Sequence, residues 1–244
     1  MSTTSGKLLS KGGSDDPAVR AVAARVLEMI PDGALVGLGS GRASHAFIHA
    51  LGAKVKQGFR VKGVPTSVAS EKLARELGIP LIELTEDVEL DITIDGADEV
   101  SPNLDMVKGW GGALVRERIV ASASKRQVIL VGPEKLVTTI GERGRIPVET
   151  IPLAVGVVTR KLKALGLIPT IRQVDGKNFI TDNGNLTLDC ASQKPIADSR
   201  AARELEARIL AIAGVVDTGL YLGTCERVLV GQPSGQVDEL FPKK

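Results

Sequence analysis

The amino-terminal half of the chain alternates between two hydrophobic textures. Short, largely apolar runs, ALVGLG at 34–39, LDITI at 90–94 and VILVG at 128–132, are separated by stretches in which apolar side chains return every three or four residues. The first texture suits strands buried on both faces, and the second suits amphipathic helices packed beside them. A helix is predicted from Pro17, capped by Asp15 or Asp16, with Val19, Val22, Val26 and Ile30 on one face and Pro31-Asp32-Gly33 as its stop. A second is predicted from about Ala43 to Val55, and a third over SVASEKLAREL, with Thr66 or Ser67 as its cap and Gly78 as its end. A fourth covers ALVRERIVASA at 113–123, and FRVKGV at 59–64 and LIEL at 81–84 are further strands. Alternation of this kind predicts a parallel sheet with helices on both faces, its site lying beyond the carboxyl ends of the strands.

The texture changes after about Arg145. A strand over PVETI, a helix over LAVGVVTRKLKALG and a strand over TIRQV lead to Asp175-Gly176, a hairpin turn signal. A second turn, Asp182-Asn183-Gly184, precedes NLTLDC; the helix SRAARELEARILAIAG and the strand VVDTGLYL follow. That order is β-α-β-β-α-β, the split unit of ferredoxin-like domains. RVLVG at 227–231 is predicted to return to the first sheet. The fold class is therefore α/β with a smaller ferredoxin-like α+β domain. Residues 1–144 and 225–244 are expected in the larger domain and 145–224 in the smaller.

Composition narrows the partners. Hydrophobic residues make up 43% of the 244 but aromatic residues only 2%, so the interior is aliphatic and stacking platforms for bases are not expected. A formal net charge of +2, from acids and bases spread along the chain, argues against nucleic acid and anionic membranes as partners. The first sixteen residues lack the apolar core of a signal peptide and read as a polar leader, and no run is long enough to span a bilayer. Cys190 and Cys225, far apart in sequence, fit a reducing compartment, and the cytoplasm is the expected location.

The candidate chemistry gathers between residues 91 and 122, DITIDGADEVSPNLDMVKGWGGALVRERIVAS. Asp95 and Asp98 follow an apolar strand on a tight turn; the alternative is an Asx-type turn whose carboxylates only bind backbone N–H groups. Asp91 reads as an edge or capping residue. Lys108 precedes the flexible cluster Gly109-Trp110-Gly111-Gly112, and its alternative is an ordinary surface lysine. Glu117 shares a helical stripe with Ala113, Val120 and Ala121, and a carboxylate at an apolar boundary has a raised pKa, suited to a base that must also return its proton. A salt bridge to Arg116, Arg118 or a neighbouring element is the alternative.

Upstream, GLGSGRAS at 37–44 stands between a strand and a helix, as either an anion grip or a packing turn. It is not a dinucleotide fingerprint, because Arg42 occupies the third glycine position. His45 and His49 have the spacing of helix-borne metal ligands without the intervening Glu or a third ligand, so no metal is expected.

Taken in order, GLGSGRAS, PTSVASEKLARELGI, DITIDGADEV, MVKGWGGALVRERIVAS, IPVETIP and TDNGNLTLD give the chain after its leader a strong resemblance to ribose-5-phosphate isomerase, type A. The resemblance implies an aldose–ketose isomerase that interconverts ribose 5-phosphate and ribulose 5-phosphate without metal or organic cofactor. It also implies a Rossmann-like domain joined to a ferredoxin-like one, in a homodimer or homotetramer. Matched position by position, it places the proton-carrying base on Glu117, the catalytic aspartates on Asp95 and Asp98, and the catalytic lysine on Lys108. Substrate contacts fall on Ser40, Gly41, Arg42 and Ala43, on Gly96 and Ala97 within the aspartate turn, on Gly109, Trp110 and Gly111, and on Lys135. Two departures stand out: Ser40-Gly41-Arg42-Ala43 replaces a common Thr-Gly-Ser-Thr loop, and Trp110 replaces a small residue, either narrowing the pocket or packing outward. The rival reading from another class is a sugar-phosphate sensor that binds without converting.

Overall fold

The computed structural model describes residues 16–242. The leader reading and the Asp15 capping alternative lie outside the described residues; Asp16 takes the cap, accepting from the Ala18 N–H with Pro17 at the first helical position. The chain then runs α1 (Pro17–Leu27), β1 (Ala34–Leu38), α2 (Arg42–Val55), β2 (Val61–Pro65), α3 (Val68–Glu76) and β3 (Ile92–Gly96). Two short strands, β4 (Glu99–Val100) and β5 (Met106–Val107), precede α4 (Leu114–Ser122) and β6 (Gln127–Val131). The smaller unit holds β7 (Ile146–Thr150), α5 (Val155–Ala164), β8 (Leu167–Ile171), the hairpin β9 (Gln173–Val174) and β10 (Lys177–Asn178), β11 (Leu186–Ser192), α6 (Ser199–Leu210) and β12 (Val215–Thr218). β13 (Leu220–Tyr221), β14 (Arg227–Gly231) and β15 (Val237–Leu240) close the fold.

The large sheet has the order β15-β14-β6-β3-β1-β2, parallel except for the antiparallel edge strand β15. From β1 the chain steps to β2 on one side and to β3 on the other. The crevice beyond β1 and β3 is thus a topological switch point, where an open α/β sheet receives a ligand. Side chains alternate between its faces. Ala34, Val36 and Leu38 of β1 join Val22, Val26, Phe47 and Leu51 in the core under α1 and α2, whereas Leu35 faces Val120 of α4 with Val64 and Leu90. Thr93 of β3 also faces α4, its hydroxyl donating to the Val120 carbonyl. Asp95, two residues on, therefore leaves the strand on the α4 side.

The smaller sheet has the order β12-β7-β11-β8, all neighbours antiparallel, which is the ferredoxin-like arrangement. Its core, with Val148, Val158, Leu162, Leu188 and Ile209, is separate from that of the large sheet. A third sheet, β13-β5-β4, stitches the two units together where residues 98–108 meet 219–221.

Most predicted elements form, with local shifts. LIEL is not a strand: Pro80 has no N–H to give the ladder, and pairing with β2 is a single bridge from Gly63 to Leu81. The first helix ends at Leu27, and Ile30 is buried in the turn after it. β15 lies in a polar carboxyl-terminal stretch, and Asp175 (φ 50°) and Gly176 (φ 74°) make the predicted hairpin turn.

Candidate active site

Asp95 is fully buried at the end of β3. Its Oδ1 accepts from the Ser40 N–H (2.9 Å), the Gly96 N–H (2.8 Å) and the Ser44 hydroxyl (3.2 Å), and its Oδ2 accepts from Lys108 Nζ (3.0 Å). This close approach explains Gly39, where a Cβ would lie 2.3 Å from Asp95 Oδ1. Lys108 is no surface lysine. Its side chain is 2% exposed, donates to the Gly96 carbonyl, and lies 3.4 Å from Glu117 Oε2 and 5.5 Å from the Tyr221 ring centre. Burial alone would lower its pKa, but Asp95 and Glu117 outweigh that and hold the ammonium above the ordinary lysine range.

Glu117 sits on the buried stripe of α4 between Leu114 and Val120. Burial pushes its carboxyl up to about 8, the charges of Asp95 and Asp98 push the same way, and Lys108 opposes them. The ion-pair contact to Lys108 leaves Oε2 without an aligned hydrogen-bond donor. A carboxylate in this state can take a proton without breaking a hydrogen bond.

Asp98 is half-buried and differs from Asp95 in its partners. Oδ2 accepts from the Trp110 N–H (2.8 Å), while among the described residues Oδ1 has Lys135 Nζ at 3.8 Å as its near cation and no hydrogen bond. Burial raises its pKa against the pull of that N–H and the nearby cations. Trp110 packs away from the cavity: its indole N–H donates to the Arg145 carbonyl (2.8 Å), and Lys135 (5.4 Å) and Arg145 (5.3 Å) both lie over its ring.

A cavity of about 610 Å³ opens at the switch point, its wall including Ser40, Arg42, Asp98, Lys108, Glu117 and Lys135. Gly41, Ala43, Gly96, Ala97, Gly109 and Gly111 also face it; Asp95 and Trp110 do not line it. Gly41 caps α2 at φ +90° with no side-chain cap bond, so the first amides of that helix carry no internal side-chain partner. That is the arrangement that receives an anion. Arg42 stands at the rim, 60% exposed and 3.5 Å from Asp16.

Three residues that the sequence reading did not assign to the site, Thr66 and Ser67 having been offered only as helix caps, build the wall behind Ser40. The Ser40 hydroxyl lies 2.8 Å from both Thr66 Oγ1 and Ser67 Oγ, and Ser70 donates to the Gly39 carbonyl (2.7 Å). Ser67 is also the cap of α3, the one signal in sequence that hinted at it. The site thus combines an anion seat, a buried cation and two carboxylates with free lone pairs around one cavity, which equips it to move protons between carbon and oxygen of a small phosphorylated substrate.

Comparison with known proteins agrees. The family model for ribose 5-phosphate isomerase A (phosphoriboisomerase A) matches residues 62–235. Ribose-5-phosphate isomerase A of Roseiflexus sp. (strain RS-1) is 42% identical over 228 residues, covering 92% of this chain and 96% of its own. That of Deinococcus radiodurans is 45% identical over 220 residues, covering 89% and 95%. Among solved structures, ribose 5-phosphate isomerase A from Methanocaldococcus jannaschii superposes with a TM-score of 0.85 at 38% identity, covering 93% of this chain and 99% of its own. A D-ribose-5-phosphate isomerase in complex with phospho-erythronic acid gives 0.86 at 33% identity, covering 92% and 97%.

Proposed function

The chain belongs to the ribose 5-phosphate isomerase A family and is an aldose–ketose isomerase of ribose 5-phosphate; we propose that Glu117 carries the proton of that reaction. In the open-chain aldose, Glu117 removes the proton on C2 and the electron pair forms the C1–C2 double bond while negative charge develops on O1. Lys108 counters that charge, and the enediolate takes a proton on oxygen. The C2 hydroxyl then gives up its proton as the ketone forms, and Glu117 returns its proton to C1. The observation that supports this is the Glu117 carboxylate, buried beside Lys108 with one oxygen undonated. A sensor has no use for such a group.

The two aspartates divide the remaining work. Asp95, with four donors, anchors Lys108, and Asp98, with Oδ1 free of a close donor, handles hydroxyl protons. The amides of α2, with Arg42 and Lys135, seat the phosphate. Asp16 lines the same cavity and pairs with Arg42 at 3.5 Å, so a bound phosphate takes over the guanidinium from that carboxylate. The same reading assigns catalysis to residues 1–144 and 225–244, with 145–224 as the smaller domain, in a homodimer or homotetramer of the cytoplasm.

Glu117→Gln tests the reading. Followed by proton NMR of ribose 5-phosphate in deuterated water, the variant is expected to fold and to lose about two to four orders of magnitude in turnover. Wild-type turnover in a folded Glu117→Gln protein removes Glu117 from the mechanism.

A further inference from the structure

We infer that Arg172 of the smaller domain is a positioning residue for the isomerisation: through one peptide group it holds the Asp98 carboxylate in place. This rests on the reading of Asp98, Lys108 and Glu117 as the reacting set.

Arg172 follows β8 and is 6% exposed. Its Nε and Nη2 donate to the two oxygens of Asp189 on β11 (3.0 and 2.5 Å), and its Nη1 donates to the carbonyls of Gly109 (2.9 Å) and Trp110 (3.1 Å). The Gly109 carbonyl and the Trp110 N–H belong to the same peptide group. Its oxygen thus takes the guanidinium from the smaller domain, while its N–H, on the opposite edge, donates to Asp98 Oδ2 at 2.8 Å. A cation on the carbonyl side polarises the peptide and strengthens the N–H as a donor. Rotating that peptide breaks both bonds together.

The loop does not hold this geometry alone. Gly109 has φ +97° and Gly112 φ +87°, and a Cβ on Gly111 would meet nothing within 4 Å. Gly109 takes the left-handed region, which favours glycine, and a Cβ there would lie 2.7 Å from Leu114 Cβ. Asp189 fixes the fork from behind, with Arg145 Nε 3.2 Å away on the same carboxylate. Burying a guanidinium is costly and rarely the best route to stability, whereas a planar fork specifies direction. Lysine in its place would keep a charge near Asp189 without spanning both carbonyls.

The chain's single tryptophan gives a direct readout. Protein labelled with nitrogen-15 only at tryptophan shows one backbone amide, hydrogen-bonded to Asp98, and one indole N–H, bonded to the Arg145 carbonyl, as an internal reference. In Arg172→Lys the backbone amide proton is expected to move upfield while the indole signal stays. Turnover of ribose 5-phosphate by the folded variant is expected to fall about tenfold to a hundredfold, the usual cost of a misplaced reacting group. Asp189→Asn, which loosens the fork from its other side, gives the same pair of readings if the first variant does not fold. An unmoved amide signal overturns the proposal, whatever the rate, as does wild-type turnover with a moved signal. Wild-type protein that fails to convert ribose 5-phosphate overturns the functional reading itself, and the amide signal, measured without substrate, tells that failure apart.

Discussion

Lys108→Met removes the one cation shared by two buried carboxylates, and the structure fixes what happens next. Glu117 Oε2 lies 3.4 Å from Nζ and Asp95 Oδ2 3.0 Å. At an effective dielectric constant of about 20, each contact is worth on the order of 5 kcal/mol of attraction. Desolvation offsets much of this while the lysine is present, but its removal leaves the buried Asp95 without its ammonium and Glu117 without the charge that opposes its protonation, a change that costs about 3–5 kcal/mol of stability. Asp95 keeps three donors on Oδ1, whereas Glu117 Oε2 has none among the described residues and takes up a proton. Its folded pKa, already about 8 against 4.5 for a free glutamate, moves higher still. Because the folded state then binds the proton more tightly than the unfolded state, the stability it confers is present below about pH 4.5 and lost as pH rises through the folded value. Urea denaturation of variant and wild type at pH 5.5 and pH 9 measures this. The deficit of the variant is expected to be clearly larger at pH 9, with turnover reduced about a hundredfold or more. Equal deficits at the two pH values refute the electrostatic account.

Gly39→Ala pushes a methyl to 2.3 Å from Asp95 Oδ1 and is expected to cost about 1–3 kcal/mol in thermal or denaturant unfolding, with turnover falling as Asp95 shifts. Arg42→Ala leaves the reacting groups untouched; KM is expected to rise about tenfold with kcat nearly unchanged, the signature of lost uniform binding, and the effect shrinks at high salt. Asp98→Asn is expected to lower kcat about a hundredfold with the melting temperature held, whereas Asp95→Asn, which strips the buried Lys108 of its closest counter-ion, lowers both. Steady-state kinetics beside thermal denaturation separates the two aspartates.

The sheet, the helices and the neighbourhood of the site were legible because each leaves a periodic or positional mark. Largely apolar runs locate β1, β3 and β6, and the switch point follows from their order with no side-chain detail. Glu117 was legible for the same reason: it interrupts a buried stripe at helical spacing. Lys108 was ambiguous, since a lysine beside glycines carries no local sign of burial and its partners lie 13 and 9 residues away on other elements. Arg172 left no mark at all. It sits in a polar strand end, and its meaning comes from two carbonyls more than 60 residues upstream. Turn chemistry could suggest that Gly109 adopts a positive φ, but not that its carbonyl finds a guanidinium from another domain.

The difference between the two aspartates shows how lone pairs assign roles where residue type does not. Asp95 and Asp98 are three residues apart, in one turn, with the same chemistry. Oδ1 of Asp95 is saturated by three donors and Oδ2 by the ammonium, so a proton can arrive only after a buried hydrogen bond breaks, at about 1–3 kcal/mol for the group left unmade. Asp98 lines the cavity with its Oδ1 3.8 Å from Lys135 Nζ, and among the described residues Oε2 of Glu117 has no aligned donor. In the proposed mechanism protons therefore travel on Asp98 and Glu117, while Asp95 holds Lys108 fixed beside Glu117. On the proposed reading the smaller domain completes this division: by holding the peptide between Gly109 and Trp110 through Arg172, it fixes the N–H that binds one oxygen of Asp98.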